Sequence, residues 1–297
     1  MAGDAALPVL VVNAARVRDT GRLRRASEQL AAASGWRAPL MLSTTLDDPG
    51  SGLARQALGL GAALVIAVGG DGTVRACAEV LAGTGVPLGI VPAGSANLTA
   101  AALGIPARMD VALRVAFGGR ERLIDLGLAD GLTFAAMAGL GLDAAVVGAT
   151  PRAVKRVAGW SAYAVAASGH LLRQPATFTI RLDGGDLIVR RARSVTVGNS
   201  GALPGGFPIL PAARLDDGLL DVVILAPAGP LGWASVGYRV LTRSRRDDWQ
   251  LERHQARTIE IRAEVDLPRQ VDGEIITPAR SLTVTVQPRA LRVRVPA

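Results

Sequence analysis

A glycine-rich loop between an apolar strand and a helix is the feature that most restricts how this chain can fold. Residues 64–68 form an apolar run, and a helical pattern covers residues 74–81. The loop that joins them consists of Gly69, Gly70, Asp71, Gly72 and Thr73. Glycines there let backbone N–H groups approach an anion, and the helix N-terminus favours negative charge. The order predicts a phosphate-binding loop, although an ordinary turn with Thr73 capping the helix is the simpler alternative.

A second loop of the same kind follows the next strand-like run. It contains Gly94, Ser95 and Asn97 and precedes a short helical pattern at residues 98–103. Ser95 and Asn97 can cap that helix or donate hydrogen bonds to a nucleotide. Asp71 in the first loop is unexpected, because a carboxylate beside phosphates is repelled unless it meets Mg²⁺ or accepts a proton. Two adjacent strand ends with glycine loops predict a binding crevice.

The first third of the chain alternates strand-like and helix-like segments. The pattern predicts strands at residues 8–13, 38–43, 63–68 and 87–91, and helices at residues 17–34, 53–60 and 74–81. Alternation of this kind predicts an α/β domain with an open, mostly parallel sheet covered by helices.

Beyond residue 123 the pattern changes to short strands separated by Gly, Asp and Pro turns. The strand-like runs are residues 178–182, 187–189, 194–197, 219–225, 258–265 and 282–286. One helical stretch, at about residues 151–172, interrupts them. We expect an α/β domain over residues 1–124 and a β-rich, sandwich-like domain over residues 125–282. Residues 283–297 can return to the first domain.

Composition excludes several classes of protein. Of the 297 residues 49% are apolar, but charged residues and glycines interrupt every run. No run reaches the ~18 apolar residues that a membrane-spanning helix needs. One cysteine and two histidines exclude a cysteine cage or a three-histidine site, so any metal must be held largely by oxygen ligands. The net charge of +8 suits phosphate or anionic surfaces, while only 3% aromatic residues argue against nucleic acid as a partner.

Two acidic turns in the second half can carry chemistry. Asp217 lies in the turn from Arg214 to Leu219, and Glu274 follows Asp272-Gly273. On their residues alone both turns can be hairpin tips, because Asp-Gly is a frequent hairpin signal. The first can also offer carboxylate and carbonyl oxygens to a hard cation, and Glu274 can be a solvated surface charge.

The two glycine loops and the two acidic turns, in this order, together resemble the diacylglycerol kinase catalytic family of bacterial lipid kinases. That family includes sphingosine and ceramide kinases and is distantly similar to the NAD kinases. The resemblance extends over nearly the whole chain. It also includes residues 139–144, a basic helix start at residues 155–163, Gly198-Asn199 and Gly205-Gly206.

The resemblance implies ATP and Mg²⁺ as cofactors and assigns residues to each. The nucleotide contacts that it implies are Asn13, Thr44 or Thr45, the loop Gly69 to Thr73, Gly94, Ser95 and Asn97. Ala14 and Ala76 stand where the family usually has proline and glutamate. For the metal it implies the Asp217 carboxylate, the carbonyls of Arg214 and Leu219, and Asp125 through water.

The implied activity is an ATP- and Mg²⁺-dependent lipid kinase that converts diacylglycerol to phosphatidic acid. Glu274 is the implied general base, and Asp71 is its rival, as in the sphingosine kinase branch. Other acceptors remain open, namely a sphingoid lipid, phosphatidylglycerol or NAD, as does a catalytically silent binding homologue. The N-terminus lacks the pattern of a secretory signal, so we expect a cytoplasmic protein, either alone or as a homodimer. It would contact the inner membrane surface peripherally, where its lipid substrate resides.

Overall fold

The computed structural model describes residues 6–141, 174–203, 207–208, 210, 212–242 and 246–297. The helix expected at residues 151–172, the basic segment at 155–163 and the pair Gly205-Gly206 lie outside these residues. The chain divides into two compact units. The first contains Met1–Ile124 and Arg289–Ala297, and the second contains Asp125–Pro288.

The first unit is built on a parallel sheet. Its strands are β1 (Pro8–Val12), β2 (Leu40–Ser43), β3 (Leu64–Gly69) and β4 (Leu88–Pro92). They lie in the order β4-β3-β1-β2, and Val293 of the last strand of the chain pairs in parallel with Leu88 of β4. The helices are α1 (Thr20–Ala33), α2 (Ser51–Gly59), α3 (Asp71–Leu81), α4 (Leu98–Ala102) and α5 (Met109–Gly118). The predicted open parallel sheet with helices is confirmed.

Complete burial explains the composition of these strands. Every residue of β1, β3 and β4 is buried, so they carry continuous aliphatic runs and not an alternating pattern. The predicted start of α3 was three residues late, because the helix begins at Asp71 and its N-cap is Gly70. Thr73 is therefore inside the helix and buried, and the simpler interpretation of it as a capping residue was wrong.

The second unit is formed mainly by antiparallel strands. Following β5 (Arg120–Ala129), which crosses into it, they are β6 (Leu132–Phe134), β7 (Met137–Gly141), β8 (Ala176–Leu182), β9 (Leu187–Ala192), β10 (Ser194–Gly198), β11 (Ala202–Leu203), β12 (Phe207–Pro208), β13 (Leu220–Leu225), β14 (Leu251–Ala256), β15 (Thr258–Val271) and β16 (Glu274–Val295). The central order is β14-β13-β10-β7-β15, and β15 also pairs with β8 and β16. The predicted β-rich C-terminal region is confirmed.

One helix of the second unit, α6 (Gly229–Leu241), was missed by the sequence patterns. Its glycines and proline are poor helix formers, so local propensity argues against it. Val236 of α6 packs with Val223 of β13 and Leu251 of β14, and this tertiary burial stabilises the helix. Among the described residues, no helix combines the length and the apolar character that crossing a membrane requires.

Candidate active site

The two glycine loops of the first unit touch each other. They follow β3 and β4, which are neighbouring parallel strands, and the Ala93 N–H donates to the Gly69 carbonyl at 2.7 Å. A Cβ atom on Gly94 would lie 2.6 Å from the Cα of Gly70, and one on Gly70 would lie 3.2 Å from the Cα of Gly94. Side chains are excluded from this contact, so two backbones and the N-terminus of α3 face the same edge of the sheet.

Asp71 joins the second loop to the first. Its Oδ1 accepts the N–H of Thr99, in the first turn of α4, at 3.4 Å. Burial raises the pKa of this carboxyl, while hydrogen bonds from the N–H groups of Thr99, Leu98 and Asn97 lower it in part. Asp71 therefore satisfies N–H groups at the start of α4, which a capping residue would otherwise do.

Capping of α4 was one of the two roles that the sequence allowed for Asn97, and its side chain does not perform it. Asn97 occupies the N-cap position in a left-handed conformation, but its side chain forms no capping hydrogen bond. Its Oδ1 accepts the N–H of Gly94 at 2.8 Å, and its Nδ2 donates to the Gly94 carbonyl at 3.0 Å. Asn97 thus holds the second glycine loop in shape, while Ser95 is exposed on it.

The other predicted nucleotide contacts end neighbouring strands of the same sheet. Asn13 follows β1, and its Nδ2 donates to the Thr73 hydroxyl at 3.4 Å. The Thr44 N–H donates to the Val12 carbonyl at 2.9 Å, which fixes Thr44 at the end of β2. The Thr45 hydroxyl instead accepts the N–H of Asp48 at 3.1 Å. Asn13 therefore contacts the predicted phosphate-binding loop, whereas the hydroxyl of Thr45 is used by the local turn to Asp48.

A cavity of about 480 Å³ in the first unit is lined by arginines that the sequence patterns did not single out. Arg16, Arg18 and Arg22 line it from the segment after β1, and Arg108 lines it from the start of α5. Val68, Pro92 and Ala93, at the ends of β3 and β4, form another part of its wall. The signal available in the sequence was the density of arginine directly after the first strand. Asp19 and Asp110 also line the cavity, and Arg108 pairs with Asp110 at 2.9 Å. The positive charge in excess therefore comes from the arginines after β1, and such an excess favours an anionic ligand.

The acidic turn at residues 214–219 is fixed by Asp125 of β5. The Asp125 N–H donates to the Leu215 carbonyl at 2.6 Å, and the Gly218 N–H donates to Asp125 Oδ2 at 2.7 Å. Asp217 Oδ1 accepts the Leu219 N–H at 3.1 Å. The turn does not join two paired strands among the described residues, so it is not a hairpin tip. The structure thus brings together Asp125, Asp217 and Leu219.

Asp221, two residues beyond this turn, was missed although a carboxylate interrupts the apolar run at residues 219–225. It is 5% exposed. Its Oδ1 accepts a hydrogen bond from Gln255 at 3.2 Å, and its Oδ2 is buried without a partner among the described residues. Burial, with a smaller contribution from the negative charge of Asp217, raises the pKa of Asp221 to about 6.

These residues fit a hard cation. A cation at the turn would offset the repulsion between the carboxylates of Asp217 and Asp221, and their oxygens are ligands that Mg²⁺ accepts. Within the ranges that the structure describes, no three Asp, Glu, His or Cys side chains group as a metal cluster. Any cation held at this turn would therefore need further oxygen ligands, such as the backbone carbonyls of Arg214 and Leu219.

The turn before Glu274 is anchored by a buried aspartate. Asp272 is 4% exposed, and its carboxylate accepts the N–H groups of Ala135, Ala136 and Met137 at 2.9, 2.8 and 3.0 Å. Glu274 itself is exposed at the start of β16. The Asp-Gly pair does form a tight turn between two antiparallel strands, as the hairpin interpretation predicts, but its carboxylate points into the protein.

Asn199 connects the segment at residues 135–137 to Asp125. Its Nδ2 donates to the Asp125 carbonyl at 2.7 Å and to the Ala135 carbonyl at 3.1 Å. Its own N–H donates to the Ala136 carbonyl at 2.9 Å. The acidic turn and the Glu274 turn are therefore linked within the second unit by one continuous set of hydrogen bonds. The resemblance had included Gly198-Asn199 without assigning Asn199 a role.

Comparison with known proteins identifies the family. Residues 9–129 match the diacylglycerol kinase catalytic domain, and residues 136–295 match the YegS C-terminal NAD kinase beta sandwich-like domain. A Pseudomonas fluorescens protein named "Probable lipid kinase YegS-like" is 33% identical over 92% of this chain and 90% of its own length. A Pseudomonas aeruginosa protein of the same name is 34% identical over 82% of this chain and 80% of its own.

Solved structures agree on the fold. A diacylglycerol kinase from Bacillus anthracis superimposes with a TM-score of 0.75 at 20% identity, covering 99% of this chain and 98% of that chain. An NAD kinase from Archaeoglobus fulgidus in complex with ATP gives a TM-score of 0.53 at 14% identity, covering 97% of this chain and 93% of that one. The resemblance found in the sequence is confirmed. This chain belongs to the diacylglycerol kinase catalytic family and, within it, to the YegS-like lipid kinases.

Proposed function

We propose that this lipid kinase transfers the γ-phosphate of ATP to the hydroxyl of diacylglycerol, giving phosphatidic acid and ADP. The observation that carries the proposal is the contact between the two glycine loops at the ends of β3 and β4. Because no side chain fits at Gly70 or Gly94, the phosphates of a nucleotide can approach the backbone and the N-terminus of α3 closely. Family membership supports the choice of ATP as donor.

In the first unit, contacts of the described residues support binding of the donor. The glycine loop at residues 69–73 receives the phosphates. Thr73 holds its hydroxyl toward Asn13, so both side chains are oriented before a ligand arrives. The arginines of the cavity add positive charge near the ends of β3 and β4, and this supports retention of a polyanion.

In the second unit, the turn at residues 214–219 would hold Mg²⁺ through Asp217 and the carbonyls of Arg214 and Leu219. Mg²⁺ supplies positive charge that offsets charge on phosphate oxygens. Asp125 orders this turn by accepting the Gly218 N–H. Asp221 lies beside it, and its Oδ2 has no hydrogen-bond partner among the residues that the structure describes.

Glu274 is the proposed general base. The lipid hydroxyl oxygen forms a bond to the γ-phosphorus as the bond from that phosphorus to the β,γ-bridging oxygen breaks, and the hydroxyl proton passes to the Glu274 carboxylate. The structural contacts favour Glu274 over Asp71. Asp71 is half-buried and already accepts a hydrogen bond from the N-terminus of α4, whereas Glu274 is exposed on an anchored turn.

We further propose that the enzyme reaches its acceptor by peripheral contact with the inner face of the cytoplasmic membrane. The net charge of +8 supports attraction to anionic lipids. Membership of the diacylglycerol kinase catalytic family supports diacylglycerol as the acceptor. A pocket for acyl chains depends on dispersed apolar side chains, which form no local motif.

Radiolabelled ATP, presented with vesicles of dioleoylglycerol in phosphatidylglycerol, tests the proposal, with sphingosine and NAD as alternative acceptors. We expect labelled phosphatidic acid from the wild type and a loss of about 10²–10⁴-fold in kcat for Glu274→Gln. Glu260→Gln changes an exposed glutamate of β15 in the same unit and should keep wild-type turnover. If NAD is labelled and no lipid is, the proposed lipid acceptor is wrong. If Glu274→Gln turns over as fast as the wild type, Glu274 is not the base.

A further inference from the structure

Three Asp-Gly turns in the second unit share one backbone conformation. They are Asp130-Gly131, Asp183-Gly184 and Asp272-Gly273. In each the aspartate has a φ between 46° and 49° and the glycine a φ between 71° and 86°, which is the left-handed region at both positions. Asp-Gly is well suited to such turns because glycine has no Cβ and aspartate tolerates that region. The conformation of the turn alone does not distinguish Asp272 from the other two.

The carboxylates of the three turns have different surroundings. Asp130 and Asp183 are exposed, and their carboxylates also accept backbone N–H groups: that of Thr283 at 2.9 Å for Asp130, and those of Arg257 and Thr258 at 2.8 Å each for Asp183. Asp272 is buried and accepts three consecutive N–H groups from residues 135–137. A buried carboxylate is unfavourable unless its oxygens are satisfied, and three hydrogen bonds to an ionised acceptor satisfy it strongly. Asp272 thus differs from the other two turn aspartates in its burial and in its third N–H donor.

The same turn is held by two further hydrogen bonds. The Asp272 N–H donates to the Met137 carbonyl at 2.8 Å, and the Gly273 N–H donates to Oε1 of Gln270 at 2.8 Å. Gln270 is completely buried. Five hydrogen bonds thus fix residues 272 and 273, and Glu274 is the next residue. The position of the Glu274 backbone is set by contacts that Glu274 does not make.

We propose that Asp272 is a positioning residue that acts through Glu274, holding its carboxylate where the acceptor hydroxyl is deprotonated. The proposal rests on the proposed function, in which Glu274 is the base. Asp130 and Asp183 show that Asp-Gly turns the chain without a buried carboxylate. The additional hydrogen bonds of Asp272 serve to restrict the turn that carries the base, since general-base catalysis depends on placement within hydrogen-bond reach of the proton.

A double-mutant cycle tests this role. Asp272→Asn keeps the shape but turns an NH₂ group toward backbone N–H donors, so the turn loosens. We expect kcat to fall about 10- to 100-fold, with the Kd for ATP unchanged. In the Glu274→Gln background the same substitution should leave the residual kcat unchanged, because the base through which it acts is gone. The melting temperature should fall equally in both backgrounds.

Asp183→Asn is the matched control, because it changes the same kind of turn away from Glu274. It should lower the melting temperature slightly and leave kcat unchanged. If Asp272→Asn does not fold, Gln270→Met is the second variant, because it removes the acceptor of the Gly273 N–H. It should lower kcat when Glu274 is present and leave the residual kcat of Glu274→Gln unchanged.

The outcomes separate the two proposals. An equal fall in kcat with and without the Glu274 carboxylate, or no fall at all, overturns the positioning role. Full turnover by Glu274→Gln alone overturns the base and with it the proposed mechanism.

Discussion

Asp221 gives a prediction that can be worked out from its surroundings. It is 5% exposed, its Oδ2 has no partner in the described part of the chain, and its pKa is raised from 3.8 to about 6 by burial and by Asp217. A pKa raised this far corresponds to about 3 kcal/mol of unfavourable free energy for the ionised form in the folded protein. Replacing the carboxylate by an amide, Asp221→Asn, removes that charge and keeps an oxygen that can accept from Gln255.

The sign of the effect follows from proton linkage. Because the folded-state pKa is raised, the folded protein holds the proton more tightly than the unfolded chain. The cost is absent below pH 3.8, grows as the pH rises toward 6, and is complete above that value. When EDTA keeps metal ions away, Asp221→Asn should therefore increase the free energy of unfolding by up to about 3 kcal/mol at pH 8 and by only a small fraction of this at pH 4. For a unit of this size that is an increase of at most ~6–12 °C in melting temperature.

Differential scanning calorimetry in EDTA at the two pH values measures the effect. Adding Mg²⁺ at pH 8 should stabilise the wild type more than the variant, because a cation at the turn favours the ionised carboxylate. Asp216→Asn, at a partly exposed neighbour that pairs with Arg214, is the control. No gain at pH 8, or the same gain at pH 4 and pH 8, would refute the reasoning about a buried charge.

Two further predictions concern the first unit. Gly94→Ala should weaken ATP binding at least tenfold by calorimetric titration, because the added Cβ would lie 2.6 Å from the Cα of Gly70. Gly118→Ala, whose added Cβ meets open space, should bind ATP as the wild type does, and equal binding by both variants would contradict the close contact of the loops. Burial raises the pKa of the Cys77 thiol to about 12, so a thiol-specific disulfide reagent should not label the native protein at pH 8 and should label it fully in denaturant. Rapid labelling of the native protein would show that this thiol is accessible.

The parts of the fold that the sequence predicted are those governed by neighbouring residues. A fully buried strand followed by a glycine loop and a helix is visible in the order of residues 64–81, and the structure contains it. Asp-Gly turns are visible for the same reason. The helix α6 was not predicted, because its stability comes from packing of Val236 against two distant strands and not from its own glycine-containing sequence.

The contacts of the candidate site were harder to predict, since they join residues far apart in the chain. Asp71 was recognised as unusual, but its partner, the N–H of Thr99, is 28 residues away. Asp272 looked like the first residue of a hairpin tip, and its partners lie 135–137 residues earlier. Local patterns identify which side chains are out of place, and only the tertiary structure identifies what they bind.

The last strand of the chain has a consequence for synthesis. Strand β16 leaves the second unit at Pro288, and Arg289–Ala297 belong to the first, where Val293 pairs with Leu88 and Ala290 accepts the Gly83 N–H. A ribosome makes residues 1–124 long before residue 289. The sheet of the first unit therefore keeps one edge of β4 unpaired while more than half of the polypeptide is translated. A chain that terminates before residue 289 therefore lacks the segment that pairs with β4 in the first unit, as well as any part of the second unit not yet made.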